Sequence, residues 1–300
     1  MRRIAFCVLL GAVAVAWVHA AGGKAPEDKR TVPELVRALS DELPYARTEA
    51  AKALGAKGAG ALPAVLKALK DKDGKVRRGA TEALAALGQD ANSAAGPLAA
   101  ALKDEDAWVR AGAAMALGKM GTLPEPAARA LAGAVTDEDA WVREEAAGSL
   151  ASATKDKDIL LPAAVAAVRV PHSGWNVRRH AMGILWRYGR DHKPAEAALI
   201  ELLEHPSEGM WDCSDRAVEM LIGLGAGGKA VPMLVKWLPW KNRGVGRRAS
   251  ASLAKIGKDA AAALPALKAM AEKDADKGNR KAATDAIEAI EAAMKKEGAK

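Results

Sequence analysis

The residues of this chain best suited to chemistry fall close together. His172, His180, His192 and His205 occupy one stretch, with Cys213 just beyond it. Imidazoles and a thiol are the groups from which zinc sites are built, but these match no ligand spacing such as C-x2-C or H-x3-H. They are also spread over three copies of a repeat, so neither a metal nor any other cofactor is expected. Carboxylates come in pairs, Asp71 with Asp73, Asp104 with Asp106 and Asp137 with Asp139. Such pairs could share acid–base work or hold a hard cation. Because they recur once per repeat, they are expected to form turns and cap helices instead. Cys213 stands in a column otherwise rich in Val, which suits an inert core thiol better than a nucleophile. No G-x-S-x-G, Walker loop or dinucleotide fingerprint is present, and no residue is assigned a catalytic role.

Recognition chemistry is a second possibility, and tryptophan carries it. Trp108, Trp141, Trp175, Trp211 and Trp240 recur at the turn between two helices in five consecutive copies. One reading is that each ring covers the top of its own helix pair, as Tyr45 would in the first copy. The other is that rings on a shared edge meet a partner. The second reading is stronger for Trp175, Trp211 and Trp240, whose loops PHSGW, HPSEGMW and PWKNRG are elongated. With them go His172, His205, Arg178 and Arg179 as candidate partner-binding residues. The spacing suits an extended or Pro-rich protein segment, because a polyproline helix rises about 9 Å per turn, close to one helix layer. The arginine pairs Arg178-Arg179 and Arg247-Arg248 could touch phosphates, but the export signal described below argues against a nucleic-acid ligand.

The elements that position these groups repeat along the chain. DEDAWVRAGAAMALGKMG begins at Asp104 and DEDAWVREEAAGSL at Asp137. Aligning every copy on its Val position gives Ala46, Val76, Val109, Val142, Val177, Cys213, Val245 and Asn279, spaced by 30 to 36 residues. Four places on, every copy has Ala, from Ala50 to Ala283, and four further stands Leu54 or its equivalent as far as Ile287. Those offsets share one helical face, and an unbroken Ala column is what closely packed helices need. Pro33, Pro63, Pro97, Pro126, Pro162, Pro194, Pro232 and Pro265 mark the starts of the first helices, and Gly58, Gly88, Gly121, Gly189, Gly225 and Gly257 the ends of the second. No stretch alternates with period two long enough to argue a strand. The fold class is all-α, an α-solenoid of about eight helix pairs.

The pattern D-x-D-x-x-V-R-x-x-A-x-x-A-L-x-x-x-G resembles the short HEAT repeat of the phycobilisome-lyase-like type, over residues 31–293. The resemblance implies that second helices line a concave wall. It also implies that Arg47, Arg77, Arg110, Arg143, Arg178 and Arg280 pair with acids of neighbouring repeats. Copies six and seven depart, with Ser214 and Gly246 in that column, so their stacking should be held differently. Proteins with such repeats are scaffolds, adaptors and a few lyases. The expected function is therefore a non-catalytic protein-binding scaffold. The alternative is a lyase- or isomerase-like enzyme resembling the phycobilin lyases, which would gather His180 with Arg178 or Arg179 in a deep pocket.

Residues 1–20, with Arg2 and Arg3 before an apolar run and Val18-His19-Ala20 after it, read as a secretory signal peptide. Residues 21–30 read as a linker and 294–300 as a polar tail. Cleavage after Ala20 removes two arginines, taking the net charge from +8 to +6, and leaves Cys213 as the sole cysteine. The mature chain would have no stable membrane span, would be stabilised by packing alone, and is expected in the periplasm. Mass spectrometry of exported protein should find an N-terminus at or near Ala21; intact Met1 in the membrane fraction would instead make the segment an anchor.

Overall fold

A computed structural model of the protein describes residues 28–170, 174–189, 192–204, 211–240 and 244–298, and every regular element among them is helical. The described α-helices form eight pairs. These are α1 (Val32–Ala38) with α2 (Pro44–Ala56), α3 (Leu62–Ala68) with α4 (Gly74–Leu87), α5 (Ala95–Ala101) with α6 (Ala107–Lys119), and α7 (Glu125–Gly133) with α8 (Ala140–Ala153). The others are α9 (Lys157–Arg169) with α10 (Trp175–Tyr188), α11 (Lys193–Glu204) with α12 (Trp211–Gly223), α13 (Val231–Trp237) with α14 (Val245–Ile256), and α15 (Leu264–Lys273) with α16 (Lys277–Gly298). Odd helices stack on odd and even on even, giving two layers. Residues 1–27, which include the expected signal peptide, lie outside the described residues. So do 299–300, whereas 294–298 continue α16.

The acidic pairs make the turns. The first Asp accepts from the backbone N–H two residues on: Asp71 from Asp73 at 2.9 Å, Asp104 from Asp106 at 3.0 Å, Asp137 from Asp139 at 2.8 Å. The second caps the following helix: Asp73 accepts from the Lys75 N–H, Asp106 from Trp108 and Asp139 from Trp141, each at 2.8 Å. Both carboxylates of each pair thus satisfy donors that a turn and a helix start leave open.

The recurring arginine then locks each turn. Arg77 donates through Nη1 to the Asp71 and Lys72 carbonyls of its own turn, and through Nε and Nη2 to Asp104 of the next copy, both at 2.8 Å. Arg110 repeats this with the Asp104 and Glu105 carbonyls and with Asp137 at 2.9 Å. Arg47, Arg143 and Arg280 make the contacts to their own turns. Among the described residues neither Arg47 nor Arg143 forms a rung to an acid of the next copy, and the buried Nε of Arg143 finds no partner there. In the next copy the acid position, six before the arginine column, is held by His172, outside the described residues.

The aligned columns form the core. No member of the Ala column is more than 1% exposed, and Leu54, Leu84, Leu117, Leu150, Leu185, Leu221 and Leu253 are equally covered. Close approach is enforced by glycine as well: a Cβ on Gly112 would collide with the Thr81 side chain of the preceding copy. In copy seven, where glycine replaces arginine, a Cβ on Gly246 would lie 2.7 Å from the Leu238 carbonyl and 2.9 Å from Met270. There the end of α13 comes down directly on its own partner α14, and the Met270 side chain reaches the same glycine from copy eight. One proline departs from expectation. Pro162 lies inside α9 rather than at its start, because Asp156 caps the helix a turn earlier by accepting from the Asp158 N–H.

Burial alone would raise the Asp104 carboxyl, but the Arg77 guanidinium and the Asp106 N–H outweigh it and hold it below its ordinary value. A depressed folded pKa stabilises the fold above the unfolded value of about 3.9 and ceases to as pH falls through the folded one. Asp104→Asn should therefore cost about 1–3 kcal/mol at pH 7. The gap from wild type, read from urea midpoints, should close in strong acid; a gap unchanged with pH would show that the rung contributes shape rather than charge.

Candidate functional site

The turns between the two helices of each pair stand along one edge of the array. Four tryptophans stand there well exposed, Trp108 at 49%, Trp141 at 37%, Trp175 at 44% and Trp240 at 40%. Trp108 and Trp141 do not cap their own helix pairs separately. Their rings meet each other, 4.5 Å between centroids at an interplanar angle of 65°. The Arg78 guanidinium lies 3.7 Å from the Trp108 centroid, so a cation and two indoles form one stack across α4, α6 and α8. Trp141 Nε1 donates to Glu145 at 3.2 Å. Burial raises the Glu145 carboxyl above its ordinary value; that bond lowers it again, and neighbouring Glu144 raises it.

The second group of candidates is less compact. Trp175 opens α10 with the Arg179 guanidinium 5.1 Å over its ring. Trp211 opens α12, but its side chain, with His172 and His205, lies outside the described residues. Trp240 follows α13 and donates its backbone N–H to the Trp237 carbonyl at 3.1 Å. Arg178 is only 7% exposed, so of the pair Arg178-Arg179 it is Arg179 that offers its charge at the surface. Arg179 Nη2 donates to His180 Nε2 at 3.2 Å. Burial and Arg179 together lower the His180 imidazole's pKa, partly opposed by Glu144, so it stays neutral to lower pH than an ordinary histidine.

The histidines do not converge. His180 lies on the even-helix layer. His192 lines a groove of about 570 Å³ between α9 and α11, on the odd-helix layer, with Pro162, Val165, Arg169 and Pro194. Among the described residues no three His, Cys, Asp or Glu side chains gather as a metal site. An exposed residue that sequence reasoning passed over is Trp186, 63% exposed on α10. It lines a groove of about 280 Å³ with Met182, Arg216, Glu219 and Met220. The signal was there: nine places after the Val column five copies carry the small Gly55, Ala85, Gly118, Ala151 and Ala254, copies six and eight carry Ile222 and Glu288, and only here does an indole stand.

The fold and this edge define a helical repeat array with an aromatic, charged rim. The chain carries HEAT repeats: the family model of that description matches residues 11–85 and 62–151. Among curated proteins none matches the sequence significantly. Among solved structures it is similar to YIBA_ECOLI, an Escherichia coli protein, at 20% identity and TM-score 0.54, over 88% of this chain and 93% of that one. It is also similar to a chain in a homology model of the full-length AP-3 complex, at 16% identity and TM-score 0.58, over 88% of this chain and 52% of that one, about half its length. An engineered protein matches at 22% identity and TM-score 0.48, over 95% of this chain and 83% of that one. The likenesses to YIBA_ECOLI and to the chain of the AP-3 complex concern the fold, an all-α solenoid. No helix among the described residues is long and apolar enough to cross a membrane.

If the cation and indole interact as placed, a double-mutant cycle on Arg78→Ala and Trp108→Ala should return a coupling of about 0.5–1 kcal/mol in thermal or denaturant unfolding. Strict additivity would show that the two side chains are neighbours without mutual stabilisation.

Proposed function

We propose that the protein is a non-catalytic scaffold or adaptor of the cell envelope that holds another protein along its turn edge. HEAT repeats suggest protein interaction in general; the single observation that carries the finer reading is the set of exposed tryptophans on that edge. A rigid array presenting large amphipathic rings supplies contact area at small entropic cost, and tryptophan is enriched among binding hot spots. In this reading Trp175, Trp211 and Trp240 contact the partner, with His172, His205 and Arg179 beside them. The envelope location rests on the charged start and apolar run of residues 1–20.

The test is cross-linking in the native envelope fraction, with the chain from Ala21 as bait and the triple variant Trp175→Ala, Trp211→Ala, Trp240→Ala beside Leu185→Ala. The triple variant should lose the captured partner while its thermal midpoint barely moves, and Leu185→Ala should lose about 2–5 kcal/mol of stability. Unfolding of the triple variant, or undiminished capture by it, would return these rings to a packing role.

A further inference from the structure

The chain is basic overall, yet one part of the edge is not. Residues 104–145 carry nine acids and four bases, a net −5 within a chain of net +8. The arginine rungs sharpen this. Arg77 meets both Asp104 and Glu105, and Arg110 meets both Asp137 and Glu138, so each rung keeps one negative charge in excess. The inner aspartates are 14% and 12% exposed, whereas the outer Glu105 and Glu138 are 87% and 88% exposed. The excess charge therefore points outward, one glutamate per helix layer, along the edge that carries the exposed rings of Trp108 and Trp141.

An exposed indole beside a carboxylate suits a guanidinium, which stacks on the ring and pairs with the acid. The chain supplies its own example, because Arg78 already lies on Trp108. We propose that this edge docks an extended cationic segment of another protein, its arginines laid against Trp108 and Trp141 and paired with Glu105 and Glu138. The proposal rests on the reading of the array as a protein-binding scaffold and gives its partner a chemistry. Packed helices lie about 8–10 Å apart, and a polyproline helix turns once in about 9 Å. An arginine at every third residue of such a segment therefore meets the outer glutamate of one layer after another. An extended segment suits this register better than the basic half of a second copy, where Arg248 and Lys255 are held by Asp215 and Glu219 on rigid helices.

The probe is a fluorescent peptide of four Arg-Pro-Pro units, titrated with the chain from Ala21 and read by anisotropy. Controls are a proline dodecamer, four Glu-Pro-Pro units, and a peptide of equal composition with its arginines contiguous. The Arg-Pro-Pro peptide should bind about tenfold more tightly than each control, and more weakly as salt rises from about 50 to 300 mM. Trp108→Ala with Trp141→Ala should cost about tenfold, and so should Glu105→Gln with Glu138→Gln. The glutamates are exposed, so the second variant tests the idea even if the first is destabilised. Equal affinity for the proline dodecamer, no effect of the glutamine substitutions, or sedimentation showing that the edge pairs two copies of the chain would overturn it. If the partner captured through Trp175, Trp211 and Trp240 persists while the peptide fails, only this docking site falls; failure of both removes the scaffold reading with it.

Discussion

A buried guanidinium tolerates few surroundings, and this array is built to meet its demands. Arg77 and Arg110 are each about nine-tenths buried, so their N–H groups need acceptors inside the protein. The turn before the helix supplies two carbonyls and the next repeat supplies a carboxylate. That double requirement fixes where the turn's acids must stand relative to the arginine. It ties loop length to repeat stacking, so the same motif governs both the shape of one pair and its registration on the next. Where Gly246 replaces the arginine, the end of α13 and the Met270 side chain of the next copy close on the glycine instead.

The surface follows from the frame. Each rung uses an inner aspartate, and the capping aspartate is committed to the helix start. What remains at the edge is the outer glutamate and the second residue after the cap, which in copies three and four is tryptophan. A locally acidic, aromatic rim on a basic protein is thus a by-product of how its turns are closed.

Sequence made the repeating parts legible and the relations between side chains much less so. The Val, Ala and Leu columns repeat with helical spacing, and periodic burial needs only that spacing to be read. The capping role of the acid pairs was equally plain. Pro162 misled because its helix begins a turn earlier, at a cap the proline pattern does not register. Trp108 and Trp141 sit in the most regular copies and so resembled caps. Their exposure and mutual contact depend on how far two helices approach, which the small residues beneath them decide. Arg178 looked like half of a surface pair until its column placed it inward.

In a stack of this kind each unit is coupled chiefly to its neighbours, as spins are in a one-dimensional lattice. The guanidinium–carboxylate rungs Arg77–Asp104 and Arg110–Asp137 mark two strengthened bonds in that lattice, joining the second unit to the third and the third to the fourth. Units two to four thereby form one block, tied by charge as well as by apolar packing. A disturbance that begins in one of these three units is shared with the other two, and the stack of Arg78, Trp108 and Trp141 spans the same three.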